Sequence, residues 1–241
     1  MQAVGFESSS TFMPALALHI PLVFVATTVM TGWFFWKAIR GSGFFVTQQR
    51  APIFVLLSVL WLATQATLSL NGFYQDTRSL PPKFLLAPVP PVLFLVVLFF
   101  ASRQFLERLS AEWLTYLHVI RIPVELVLLW LYYAGTIPRE MTFEGRNFDV
   151  LIGITAPFMA YFGYTQVRLT KPILLIWNVI GLLFLGNVVL HGILALPSPF
   201  QVYAFQQPNI AVLNFPFIWL PSYIVPLVLM AHVVSIRQLL K

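Results

Sequence analysis

The stretch His118-Val-Ile-Arg-Ile-Pro-Val-Glu125 decides how this chain is read. It lies inside an apolar run covering residues 113–134. On a helix, His118, Arg121, Glu125 and Tyr132 follow the spacing i, i+3, i+7 and i+14, which gathers them on one face. A charged group in the middle of a membrane-length segment costs roughly 2.5–3.5 kcal/mol on insertion scales. Such groups turn toward a protein interior or a water-filled cavity, so this face is the expected wall of a polar site.

The rest of the chain has the same character. Of 241 residues, 59% are apolar and only 9% are charged, against about 25% charged in an ordinary soluble domain. The expectation is an all-α polytopic membrane protein, one transmembrane domain over 1–241. Seven spans can be laid out, at 13–36, 52–73, 87–106, 113–134, 148–167, 172–194 and 212–236. Each has about the 20 residues a helix needs to cross roughly 30 Å of hydrocarbon. There are no cysteines, which excludes disulfides and thiolate metal sites. The formal charge of +6 is spread over alternate loops and gives no nucleic-acid patch. Glu7 before the first run, and no basic segment there, argue against a cleaved signal peptide.

Loop charges set the expected orientation. Lys37, Arg40, Arg50, Arg103, Arg108, Arg168, Lys171, Arg237 and Lys241 fall on one side. Arg78, Lys83, Arg139 and Arg146 fall on the other. The excess places the N-terminus outside and the C-terminus in the cytoplasm.

An internal echo is also present. Pro52-Ile-Phe-Val-Leu-Leu-Ser58 overlies Pro172-Ile-Leu-Leu-Ile-Trp-Asn178 without a gap, which carries Thr67 onto Asn187 and Asn71 onto His191. Arg103-Gln-Phe-Leu106 likewise resembles Arg237-Gln-Leu-Leu240. Two three-helix units, 12–108 and 147–241, joined by the fourth span would make a parallel repeat. In span number, orientation and repeat, this plan resembles the 3+1+3 architecture of SWEET and PQ-loop transporters, and more distantly the microbial rhodopsins. The resemblance is one of architecture, and a fold-level analogy does not supply a function. It does not extend to the motifs: Gln48-Gln49-Arg50-Ala51-Pro52 is not the Pro-Gln pair, and the seventh span has no lysine for a retinal Schiff base.

Depth along the spans selects the candidate residues. Arg121, Glu125, Asn71, Asn187, His191, Thr67 and Tyr132 are expected to bind a small molecule or ion in an outward-facing cavity near the midplane. Glu144, Arg146 and Asp149 are the candidate lid, with Gly145 as its flexible point, and 197–211 is a second connector able to fold back as a cap. His118 and His232 fall nearer the inner face and need not belong to that cavity. Arg121 and Glu125 are also spaced to pair with each other on one helix. The expected function is small-solute transport or binding in a lipid bilayer. An intramembrane enzyme is the alternative, with His19, His191, Glu125 and Asp149 as the donors a metal would need. Lesser alternatives are a b-type haem electron-transfer protein using His19 with His191 and His118 with His232, and a receptor or assembly subunit. The cofactor, substrate and oligomeric state stay open at this point.

Overall fold

A computed structural model describes residues 13–44 and 48–241; Glu7 and the first residue of the 12–108 unit lie outside them. All regular structure among the described residues is helical, without strands. The principal helices are α1 (His19–Arg40), α2 (Ala51–Leu70), α3 (Val89–Ala101), α4 (Ala111–Tyr133), α5 (Asp149–Ala160), α6 (Lys171–Leu194) and α7 (Leu220–Leu239). Six of the described helical segments are long and apolar enough to cross a membrane: α1, α2, α4, α6, α7, and α3 taken with the turn that leads into it from Lys83. The fifth expected span is the exception. α5 has 12 residues and runs on into a five-residue π turn, Tyr161–Thr165.

α4 and α7 form the centre, with 61% of an apolar 18-residue stretch of each buried, against 11% for α2 and for the Lys83–Ala101 segment that contains α3. α4 packs against α1, α5 and α7; α7 packs along α6 and also meets α3. On α2, Ile53, Leu56, Val59 and Leu60 are more than half exposed, as are Leu93, Phe94 and Val97 on α3. So continuous an apolar surface needs a cover, and lipid chains supply one.

Local chemistry explains the central helix. Ser110 caps α4, its hydroxyl accepting from the Trp113 amide at 3.5 Å, and Glu112 lies in the first turn where the helix dipole favours an acid. At His118–Ile120 the helix tightens into a 3-10 turn. Pro123 follows directly: it has no N–H for the carbonyl of Val119, and its ring crowds that carbonyl. The tightened turn is the local answer to that conflict. Thus the same short stretch both bears the charges and breaks the regularity of the helix that carries them.

Pro88 stands at the N-cap of α3 and Pro90 in its first turn, whereas Pro226 lies inside α7, just after the π turn. α7 opens with a π turn, Leu220–Ile224, that includes Pro221.

At the end of the bundle bearing most Lys and Arg, Glu107 gathers three cations: Lys241 at 2.5 Å, Arg103 at 2.8 Å and Arg237 at 3.5 Å. Lys241, then Arg103, pull its carboxyl from the usual 4.5 down to about 2. A depressed carboxyl stabilises the fold above its unfolded pKa and loses that contribution as pH falls through the folded one. Detergent-solubilised protein is therefore expected to lose stability as pH drops from about 4.5 toward 2, and Glu107→Gln to flatten that part of the profile. A circular-dichroism melt at each pH reads it. Lys37 at this end lies 5.4 Å from the rings of Trp33 and Trp113, a cation–π arrangement.

Candidate functional site

Arg121 is 2% exposed and reaches across four helices. Its Nη1 donates to Asp149 Oδ1 on α5 at 2.8 Å, and both terminal nitrogens donate to the carbonyl of Gly181 on α6 at 3.3 Å. Nη2 lies 3.0 Å from His232 Nε2 on α7. A guanidinium only donates, so Nε2 must accept and His232 is the neutral tautomer with its hydrogen on Nδ1. That hydrogen goes to Asn178 Oδ1 at 2.9 Å, and Asn178 in turn donates to the carbonyl of Leu174. Every member of this chain, Asp149–Arg121–His232–Asn178, has its donor and acceptor roles fixed by the next.

Two glycines let the elements approach. A Cβ on Gly181 would stand 2.5 Å from His232 Cε1, and one on Gly153 of α5 would stand 2.9 Å from Ile122 and 3.3 Å from Arg121 Cβ. The ring of His118 stacks on that of His232, centroids 3.9 Å apart and planes 21° apart, with Trp177 edge-on at 5.5 Å. The inner histidines thus adjoin the Arg121 network, although neither is among the residues that line the cavity. Their rings also leave no room between them for a haem, so the His118/His232 haem pair is not formed.

Glu125 does not pair with Arg121, its neighbour on the same helix face. Its Oε1 accepts from Asn147 Nδ2, which also donates to the carbonyl of Met141, while Asn147 Oδ1 accepts from the Asp149 amide. Glu125 is 1% exposed, and its Oε2 has no hydrogen-bond partner among the described residues. Arg121 Nε and Asn209 Oδ1 are likewise buried and without a partner. All three residues line one cavity of about 110 Å³ between α4, α6 and α7. Leu128, Leu185, Val188, Val189 and Val228 form its apolar body, and Arg121, Glu125, Asp149 and Asn209 supply its polar groups. Ile193, near the end of α6, also lines it and is 47% exposed. Phe84 and Pro88, before α3, form the facing edge. Leu220, Pro221 and Ile224 of the α7 π turn also line it; such turns often mark functional sites.

The other sequence candidates lie elsewhere. Thr67 and Asn71 are exposed near the end of α2 and bond only to their own helix, at the carbonyls of Ala63 and Thr67. Their distance from the cavity follows from α2 turning that face outward. Asn187 donates to the carbonyl of Arg146 at 2.7 Å. His191 lies 2.9 Å from the carbonyl of Asn187 and meets Tyr203 edge-on. Tyr132 is half-buried, and its carbonyl accepts from Gln207. His19 is exposed and packs edge-on against Trp130. Among the described residues no three of His, Asp and Glu come together as a metal site.

Asp149 is not part of a lid: it opens α5 and is 5% exposed, drawn inward as the counter-ion of Arg121. Glu144 and Arg146 stay exposed, Glu144 accepting from the Tyr133 hydroxyl at 2.9 Å. Nor is Gly145 a flexible point. A Cβ there would collide with the carbonyl of Arg139, so glycine is required by close backbone packing. The 197–211 connector does fold back. Gln207 donates to the carbonyls of Tyr132 and Ile137, and Asn209 to that of Gly192, which brings Asn209 to the cavity.

Sequence reasoning missed Asn147, Asn178, Asn209 and Gly181. Asn178 and His232 carried a usable signal, two polar side chains at membrane depth in neighbouring spans. Asn147 and Asn209 sit in polar loops, where nothing in the sequence distinguishes them.

No curated protein and no solved structure matches the chain. A family model matches residues 82–240, a stretch containing every residue named here as lining the cavity and all of the Arg121 network. The chain belongs to that family, the domain of unknown function DUF8737.

Proposed function

We propose that this protein is a seven-span membrane protein that binds a small solute in the cavity between α4, α6 and α7 and carries it across the bilayer. The observation that carries this reading is Glu125: a buried carboxylate facing a cavity, with one oxygen unpartnered and no cation of its own. Burying an ionised group without a partner costs several kcal/mol, so such a carboxylate holds a proton or a bound cation. Ionisable groups inside membrane segments are functional by default, and a carboxylate that alternates between occupants is the usual element of coupled transport.

Two features support the seven-span topology. α5 with its π turn covers residues 149–165, roughly 25 Å at 1.5 Å per residue. Nine Lys and Arg lie at the Glu107 end and four at the other, which favours a cytoplasmic C-terminus and an outward-opening cavity.

The test begins with purified protein in nanodiscs and a panel of small amines, alcohols, carboxylic acids and amides, scored by thermal shift. A stabilising solute is then followed into proteoliposomes. Wild-type protein is expected to accumulate it, and Glu125→Gln, which keeps an acceptor for Asn147, to fall to the level of empty vesicles. Equal uptake by the variant would remove Glu125 from the mechanism. Stabilisation by none of the panel would overturn the reading of the cavity.

A further inference from the structure

We infer that the cavity selects a small organic ammonium, a primary amine with an apolar body of about four carbons. The inference rests on the proposed solute site and names what fills it.

Charge comes first. The buried polar end holds one guanidinium and two carboxylates, and the guanidinium is committed to Asp149 at 2.8 Å. Glu125 remains without a counter-ion. His232 is neutral by its hydrogen bonds, so it supplies no cation, and His118 lies beyond it, stacked against its ring. The other nearby cations, Arg139 and Arg146, are exposed. A cation is therefore the complement this end lacks.

Donor and acceptor roles agree. Three residues lining the cavity have a buried unpartnered atom: Glu125 Oε2 and Asn209 Oδ1 are acceptors, and Arg121 Nε is a donor of the guanidinium already paired with Asp149. Asn209 has already used its amide nitrogen on the carbonyl of Gly192, which leaves the oxygen to accept. A primary ammonium brings three donors and a positive charge. A carboxylate brings acceptors against acceptors, and an alcohol brings one donor without the charge.

Size and walls complete the argument. A dry cavity of about 150 Å³ takes a benzene-sized guest, so 110 Å³ suits a body of about four carbons. Its walls are the side chains of Leu128, Leu185, Val188, Val189 and Val228, which offer no hydrogen bonds. Ammonium and proton would then compete for one carboxylate, which is the simplest form of exchange.

The test uses the full chain in nanodiscs with three probes of one size: n-butylammonium, 1-butanol and butyrate. Butylammonium is expected to raise the melting temperature of wild type in a saturable way, and the other two to leave it unchanged. Glu125→Gln should abolish the shift. Asn209→Ala, which keeps the carboxylate, should weaken butylammonium binding about 10-fold or more, the usual effect of losing one hydrogen bond to a charged group. Stabilisation by butanol or butyrate in wild type and Glu125→Gln alike would overturn the ammonium assignment and leave the solute site standing. Stabilisation by a different solute class, with none by butylammonium, would do the same. If no solute stabilises the protein, both fall.

Discussion

Asp149→Leu is expected to lose about 3–5 kcal/mol of stability, read as a reversible unfolding transition in mixed SDS micelles. The substitution removes the counter-ion 2.8 Å from a guanidinium that is itself 2% exposed. Arg121 would keep the Gly181 carbonyl and His232 Nε2, both neutral acceptors, and would lose the ion pair that compensates its buried charge. The double variant Arg121→Met/Asp149→Leu should recover most of the loss, because apolar replacement of a whole buried pair is often neutral. The single Arg121→Met should also be costly, since it strands Asp149. A cycle in which the two single losses simply add would mean that the pair is not coupled.

The second large effect concerns Gly181. In a helix interior, Gly→Ala ordinarily gains up to about 1 kcal/mol. At Gly181 the sign is expected to reverse, with a loss of about 1–3 kcal/mol from overpacking. The added methyl would stand 2.5 Å from His232 Cε1 and 2.6 Å from Nε2. His232 cannot yield, because Arg121, Asn178 and the stacked ring of His118 hold it on three sides. Gly186 is the matched control on the same helix: its Cβ would meet nothing within 4 Å, so Gly186→Ala should be neutral or slightly stabilising. Loss at Gly186 equal to that at Gly181 would point to a general intolerance of α6 and not to the His232 contact.

The sequence carried the class of this protein and the address of its charged helix. The long apolar runs and the single face bearing His118, Arg121 and Glu125 are local properties, and a periodicity argument reads them directly. Partner choice is not local. Arg121 had Glu125 at i+4 on its own helix, yet it pairs with Asp149, 28 residues away. That choice depends on α5 beginning at Asp149 and lying against α4 at Gly153, which no spacing reports. Depth along a span was also an incomplete guide. Thr67 and Asn71 stand at a suitable level, but α2 turns them outward. Asn209 lies in a connector and still reaches the cavity, because the connector folds back over the end of α4.

Glu125 and Asp149 are close in sequence depth and both buried, yet the account gives them opposite states: one locked to Arg121, the other uncompensated and open to a cavity. Dicyclohexylcarbodiimide, an apolar reagent that attacks protonated carboxyls, separates them. After treatment of the protein in nanodiscs at neutral pH, peptide mass spectrometry is predicted to find the adduct on Glu125 and not on Asp149, with butylammonium protecting Glu125. Labelling of Asp149 with Glu125 untouched would contradict the central claim.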